Sequence, residues 1–223
     1  MFDAVIFDCD GCLIDSEVLA LEVEFEALAE VGLTYEVSDF CRRFMGLSNP
    51  AFFAALDADR IARLGAPLPA DFQATHSARL RAAVDARLTQ VAGASDAVAA
   101  LSRAKAVASS SHADFLERKL RRVALWEPFA PHIYSGDVVA RGKPAPDLFL
   151  HAATALGVEP ARCLAIEDSV NGVASARAAG MSVWGFIGGG HIQPEDPDRL
   201  TAAGARRLVS AWPEAAREFA AWR

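Results

Sequence analysis

The stretch Phe2-Asp3-Ala4-Val5-Ile6-Phe7-Asp8-Cys9-Asp10-Gly11-Cys12-Leu13-Ile14-Asp15-Ser16 decides how the rest of the chain is read. Ala4 to Phe7 is an unbroken apolar run of the kind that forms a strand buried on both faces. It ends in two carboxylates, Asp8 and Asp10, followed at once by Gly11. Side chains alternate along a strand, so Asp8 and Asp10 are expected to leave on the same side. Two anions at the end of an apolar strand repel each other and resist burial. A hard divalent cation bound through oxygen relieves both costs. Gly11 lets the chain turn sharply and brings backbone N–H groups near a bound group. Turn chemistry alone is the plain alternative, since Asp and Gly are common after strands.

Composition narrows the field. The 223 residues suit one large domain, or one domain carrying an insert, and 52% hydrophobic residues are enough for a sizeable core. A net charge of −7 argues against nucleic acid as the main partner, though not against small anions, which respond to local fields. No apolar stretch is long enough for a transmembrane helix, so no membrane partner is expected. The first residues enter a strand without a basic segment or cleavage site, as in a mature cytoplasmic protein. Cys9 and Cys12 form a C-x-x-C, but no second pair and no nearby His completes a zinc site. Together with Cys41 and Cys163 they read as small buried thiols in a reducing compartment.

Beyond the opening stretch, the patterning is helical as far as Leu88. Ser16–Val31, Val37–Phe44, Pro50–Leu64 and Ala70–Leu88 read as helices, the first capped by Ser16 and closed by Gly32. A wholly helical block after a single strand is an insertion. From Gly93 the pattern alternates. Helices are expected at Asp96–Arg103, Asp114–Val123, Pro146–Leu156 and Val170–Ala179, and strands at Lys105–Ser109, His132–Ser135, Cys163–Ile166, Met181–Ile187 and Arg207–Val209. The remainder reads as helical, with Trp212 and Trp222 packing on the core. The fold expected is therefore α/β, a Rossmann-like parallel sheet (residues 1–15 and 89–223) interrupted by an all-helical insert (residues 16–88).

In such sheets ligands bind beyond the carboxyl ends of the strands. Asp8 and Asp10, Ser109 and Ser110, and Glu167 and Asp168 all fall at such ends. Lys143 lies between Gly142 and Pro144, with Pro146 close behind; the prolines stiffen a loop that presents a point charge. The chain has only three lysines. Lys119, within the basic run Arg118, Lys119, Arg121 and Arg122, reads as a complement to its helix's negative C-terminus. The run Gly188-Gly189-Gly190-His191 lacks the Lys-Ser or Lys-Thr of a phosphate loop and reads as a flexible turn, with His191 a low-ranked site residue.

The opening stretch resembles the first motif of the haloacid dehalogenase-like hydrolases, Asp-x-Asp-Gly-x-Leu-x-Asp-Ser. Ser109, the Gly142-Lys143-Pro144-x-Pro146-Asp147 run, and Glu167-Asp168-Ser169 with Asn171 and Gly172 resemble the remaining three, in order. The nearest subgroup is similar to sugar-phosphate phosphatases and beta-phosphoglucomutases with a helical cap. The resemblance implies Asp8 as nucleophile, giving an aspartyl phosphate, and Asp10 as acid and base. It implies Mg²⁺ held by Asp8, the Asp10 carbonyl and Asp168, with Glu167 as a ligand or a neighbour of the ligands. Gly11, Ser109, Ser110 and Lys143 would hold the phosphoryl oxygens. A second Asp at position 10 favours phosphate over halide substrates.

The cap is expected to choose the ester. Beta-phosphoglucomutases carry a cap histidine where this chain has Ala20, and a basic loop where it has Met45-Gly46-Leu47-Ser48-Asn49. Residues 16–88 contain no lysine, as a Schiff-base phosphonoacetaldehyde hydrolase would need. Arg42, Arg43 and Asn49 are the candidate substrate contacts there, and Arg42 and Arg43 read equally as solvated helix residues. The activity expected is hydrolysis of a small phosphorylated sugar or sugar acid. The alternatives are a hexose-phosphate mutase and a non-catalytic binding protein.

Overall fold

In a computed structural model, which describes residues 2–45, 47 and 49–222 with the side chain of Asn49 excepted, the opening run forms strand β1 (Ala4–Phe7), every residue of it buried. The other strands are β2 (Ala104–Ser109), β3 (Ile133–Ser135), β4 (Cys163–Glu167), β5 (Ser182–Phe186) and β6 (Arg207–Val209). They pair in parallel in the order β3-β2-β1-β4-β5-β6. The chain lays β2 and β3 on one side of β1 and then crosses to lay β4, β5 and β6 on the other. That reversal opens a crevice at the carboxyl end of the central strands. Register places Phe7 beside both Val107 and Ile166, so the residues after Phe7, Val107 and Ile166 emerge together.

The helices are α1 (Ser16–Glu30), α2 (Val37–Phe44), α3 (Asn49–Leu64), α4 (Phe72–Arg87), α5 (Ala94–Ala100), α6 (Ala113–Arg122), α7 (Asp147–Leu156), α8 (Val170–Ala178), α9 (Asp196–Ala203) and α10 (Trp212–Ala221). The sequence pattern does not single out α9. The two sheet faces are packed differently, as alternation along β1 requires. Ala4 and Ile6 lie in a cluster with Leu148, Phe149 and Ala152 of α7 and Val173 and Ala176 of α8. Phe7 instead meets Phe129, Trp212 and Phe219. Trp212 is fully buried and donates its indole N–H to the Cys12 carbonyl at 2.9 Å, tying α10 to the turn after β1. All four cysteines are free and buried.

The chain divides into two units, Met1–Glu17 with Leu88–Arg223, and Val18–Arg87. The expected boundaries, 16 and 88, differ by a residue or two: Ser16 and Glu17 stay with the sheet unit, where Ser16 bonds to Asp10. The helical unit has its own core of Leu28, Leu33, Phe40, Phe44, Leu56 and Phe72. Among the described residues, no helix is long and apolar enough to cross a membrane.

Candidate active site

Asp8 follows the last residue of β1 and is buried. Its Oδ1 accepts from Lys143 Nζ at 2.5 Å. The same ammonium donates to Glu167 Oε1 at 2.6 Å and to the Ala108 carbonyl at 2.9 Å, so all three of its hydrogens are used. Glu167, at the end of β4, is fully buried. Its Oε2 accepts from the backbone N–H and hydroxyl of Ser169 at 3.0 and 2.9 Å. The Ser169 hydroxyl in turn caps α8 by accepting from Gly172 N at 3.0 Å. A Cβ on Gly172 would fall 1.8 Å from the Glu167 carboxylate, so only glycine allows the helix this close.

Asp10 is placed by a turn rather than by strand alternation, since β1 ends at Phe7. The Cys9 carbonyl accepts from Leu13 N and Ile14 N, and Gly11 N donates to the Ile14 carbonyl at 2.9 Å. Asp10 Oδ1 accepts from Ser16 Oγ at 2.6 Å and from Lys119 Nζ. Its Oδ2 accepts from Ser111 Oγ at 2.9 Å and from Ser109 Oγ at 3.2 Å. Lys119 also donates to Ser111 Oγ at 2.7 Å and is 2% exposed. Burial works to raise Asp10, but Lys119 and the hydroxyls outweigh it and hold the carboxyl down at about 2. Asp10 is a carboxylate in the free protein.

Asp168 follows β4 and is buried, with His191 Nε2 3.0 Å from its Oδ2. Ligand atoms of Asp8, Asp168 and Cys12 lie within 4.8 Å of one another. Burial pushes Asp8 well above the usual carboxylate range; Lys143 pulls it down, while Glu167, Asp168 and Asp10 push it up. Asp168 rises well above that range through burial, Glu167 and Glu17. Four carboxylates thus converge on two buried lysines, and Asp8 and Asp168 carry the surplus. That surplus and the oxygen donors fit a hard divalent cation such as Mg²⁺, which prefers the two carboxylates to the Cys12 thiol.

Of the residues expected at the site, Asp8, Asp10, Ser109, Lys143, Glu167 and Asp168 meet in one cluster. Two, Gly11 and Ser110, are placed otherwise than expected, and Glu167 takes the second of its two expected places. The N–H of Gly11 is spent on Ile14; its contribution is space, since a Cβ there would fall 2.0 Å from Asp168 Oδ2, and its φ of +76° favours glycine. Ser110 is exposed, and the hydroxyl that joins Ser109 on Asp10 belongs to Ser111. Both oxygens of Glu167 are taken by Lys143 and Ser169, so it orients the lysine and stands outside the group that faces a cation.

Lys119 does not serve its helix's C-terminus. It points into the cluster and neutralises Asp10. The scarcity of lysine was the available signal: two of the chain's three lysines are buried against the two aspartates. His191 too belongs to the cluster. In the helical unit, Arg42 pairs with Asp39, and Arg43 pairs with Asp59 at 2.5 Å and lies over the Tyr35 and Phe44 rings. Asn49's side chain lies outside the described residues.

A model of the haloacid dehalogenase-like hydrolase family matches residues 2–180, and the chain belongs to that family. It is 29% identical over 194 residues to 6-phosphogluconate phosphatase of Escherichia coli (strain K12), covering 86% of each chain. A crystal structure of a haloacid dehalogenase-like protein of unknown function from Agrobacterium tumefaciens superposes with a TM-score of 0.88 at 38% identity, over 99% of both chains. A HAD family hydrolase from Deinococcus radiodurans, with bound phosphate and sodium, superposes with a TM-score of 0.83 at 37% identity, over 96% of this chain and 93% of that one.

Proposed function

We propose that the chain is a Mg²⁺-dependent phosphatase that hydrolyses a small phosphorylated sugar or sugar acid through an aspartyl phosphate on Asp8. The observation that carries this reading is the split of charge between the two aspartates. Among the described residues, Asp8 sits between Lys143 and Asp168 with no hydroxyl on it, whereas Asp10 is surrounded by Lys119 and three serines. One carboxylate is thus arranged beside a cation site and the other as a proton carrier.

Asp8 Oδ1 attacks phosphorus and the ester oxygen leaves. Lys143, locked by Glu167 and the Ala108 carbonyl, keeps a fixed positive charge beside the nucleophile and the incoming phosphoryl oxygens. Asp8 and Asp168, with the Asp10 carbonyl, would hold Mg²⁺, which supplies charge neutralisation between the carboxylate and the phosphate dianion. Asp10 stands as a carboxylate in the free protein, so it is set to take the proton from the water that hydrolyses the acyl phosphate. Protonation of the leaving alkoxide in the first step requires Asp10 to take up one proton from solvent once substrate is bound; giving it to the alkoxide returns Asp10 to the carboxylate that the second step needs. The phosphate in the Deinococcus relative and the activity named for the Escherichia coli relative support the reaction and the substrate class. Four buried free thiols support a reducing, cytoplasmic setting.

The test is release of inorganic phosphate from a panel of sugar, sugar-acid and hexitol phosphates with Mg²⁺. Asp8→Asn is expected to abolish release while leaving the protein folded. Substantial hydrolysis by that variant would remove Asp8 as nucleophile. Conversion of a hexose 1-phosphate to the 6-phosphate in the presence of a bisphosphate would replace the hydrolase reading with a mutase.

A further inference from the structure

The Gly188-Gly189-Gly190-His191 run follows β5 and has no part in the reaction as derived above. It nevertheless brings a histidine into the buried part of the site. His191 is 6% exposed, and its Nε2 lies 3.0 Å from Asp168 Oδ2. In the cation-holding state Asp168 is a carboxylate and only accepts, so Nε2, the ring nitrogen that faces it, carries the ring hydrogen there. The other ring nitrogen, Nδ1, is buried without a hydrogen-bond partner. Among the described residues, the ring therefore has a single polar contact, the one to Asp168.

Two glycines make the space for it. A Cβ on Gly11 would lie 2.0 Å from Asp168 Oδ2 and 2.5 Å from His191 Cε1. A Cβ on Gly189 would lie 2.8 Å from His191 Cε1 and Nδ1, and 2.6 Å from the Gly11 carbonyl. Glycines from two distant loops thus open one slot, and the slot is filled by one ring against one carboxylate. The backbone is steadied as well: Gln193 Nε2 donates to the His191 carbonyl at 2.8 Å, and Ile192 N donates to the Gly189 carbonyl.

We infer that His191 is a positioning residue for Asp168, fixing the rotation of that carboxylate so that it faces Asp8 and is ready for the divalent cation. The inference rests on the reading of Asp8 and Asp168 as the cation's carboxylates. Without His191, Asp168 Oδ2 loses the ring that sits 3.0 Å from it and the carboxylate is less restrained, so part of the cation's binding free energy goes into ordering it. Donors that orient a metal-ligating side chain typically contribute about 10–100-fold in metal affinity.

The experiment is direct titration of Mg²⁺ into the protein by calorimetry, with no substrate present. His191→Phe keeps a ring in the slot but removes the donor, and is expected to raise the Mg²⁺ Kd about 10–100-fold. His191→Gln carries an amide donor of similar reach and is expected to stay near wild type. At saturating Mg²⁺ the kcat of His191→Phe is expected to recover, since the defect is in holding the cation. A His191→Phe protein that binds Mg²⁺ as tightly as wild type overturns the inference. Wild-type protein that binds no Mg²⁺ overturns it together with the Mg²⁺-dependent phosphatase reading. Wild-type protein that binds Mg²⁺ but releases no phosphate from any ester sinks the phosphatase reading alone. A second measurement needs no variant. In ¹⁵N-histidine spectra of wild-type protein, Mg²⁺ is expected to shift the His191 Nε2 resonance, and a resonance unmoved at saturating Mg²⁺ overturns the inference.

Discussion

Replacing Lys119 by methionine removes a buried positive charge and keeps most of the side chain's length. Asp10 is then left with the hydroxyls of Ser16, Ser109 and Ser111 but no cation. The carboxyl is held at about 2 against an ordinary 3.8. At ~1.4 kcal/mol per unit, that depression corresponds to roughly 2–3 kcal/mol of stability near neutral pH. The loss in the variant is larger than this net figure, because the burial that works to raise Asp10 survives while the main force opposing it is gone. Breaking one side of a buried ion pair typically costs about 3–5 kcal/mol. For a chain of this size, that is a fall in Tm of roughly 6–20 °C. The sign with pH follows from the depressed carboxyl. The stabilisation is complete above the ordinary carboxylate range and disappears as pH falls through about 2, so the gap between wild type and Lys119→Met should be widest at neutral pH and close in strong acid. Thermal unfolding from pH 7 downward reads this directly. The acid limb of the pH–rate profile should also move to higher pH in the variant, because the base becomes easier to protonate. Adding Asp10→Asn to Lys119→Met should recover much of the lost stability, since no uncompensated charge remains. A Lys119→Met protein as stable as wild type at neutral pH, or a double variant whose losses simply add, would refute the coupling.

Other outcomes follow from the same geometry. Gly172→Ala places a Cβ 1.8 Å from the Glu167 carboxylate; it should cost about 1–3 kcal/mol by overpacking and lower kcat by displacing Lys143, whereas a variant with wild-type Tm and turnover would show that α8 can shift freely. Asp8 and Asp168 are raised in the folded state, chiefly by burial; their protonation favours the fold in acid and that contribution is lost as pH rises through the raised values. Protein stripped with EDTA should therefore lose stability toward neutral pH, and Mg²⁺ at a hundred times its Kd should restore about 2.7 kcal/mol in scanning fluorimetry. A neutral-pH Tm indifferent to Mg²⁺ would contradict the cation site. Arg43→Ala breaks a half-exposed pair with Asp59; it should cost no more than about 1 kcal/mol and leave KM for the best substrate nearly unchanged, and a large rise in KM would return Arg43 to the substrate contacts.

Much of this protein is legible from sequence because its signals are local. The apolar run Ala4–Phe7, the alternation of strands and helices after Gly93, and the cap supplied by Ser169 all follow from short-range patterning, and each element appears within a few residues of its expected span. Asp8, Asp10, Ser109, Glu167 and Asp168 were readable as a group because strand ends of a parallel sheet share one edge, and Lys143 because a proline-stiffened loop presents an isolated charge. What chain order could not convey was which charge meets which. Lys119 shares the buried face of α6 with Leu116 and Leu120, yet only the placement of α6 against the turn after β1 makes Asp10 its partner. His191 follows three glycines that look like slack chain, until Gly11, from the far end of the sequence, is seen to leave the hole its ring fills. Glu167 carries the same charge as Asp168 and stands next to it, yet the register of β4 against β1 directs one to a lysine and the other toward Asp8 and Cys12. Electrostatic pairing and steric room are properties of distance in space. The residue types and their local periodicity were therefore present in the sequence, while the partners of each buried charge were decided when the sheet brought remote loops together.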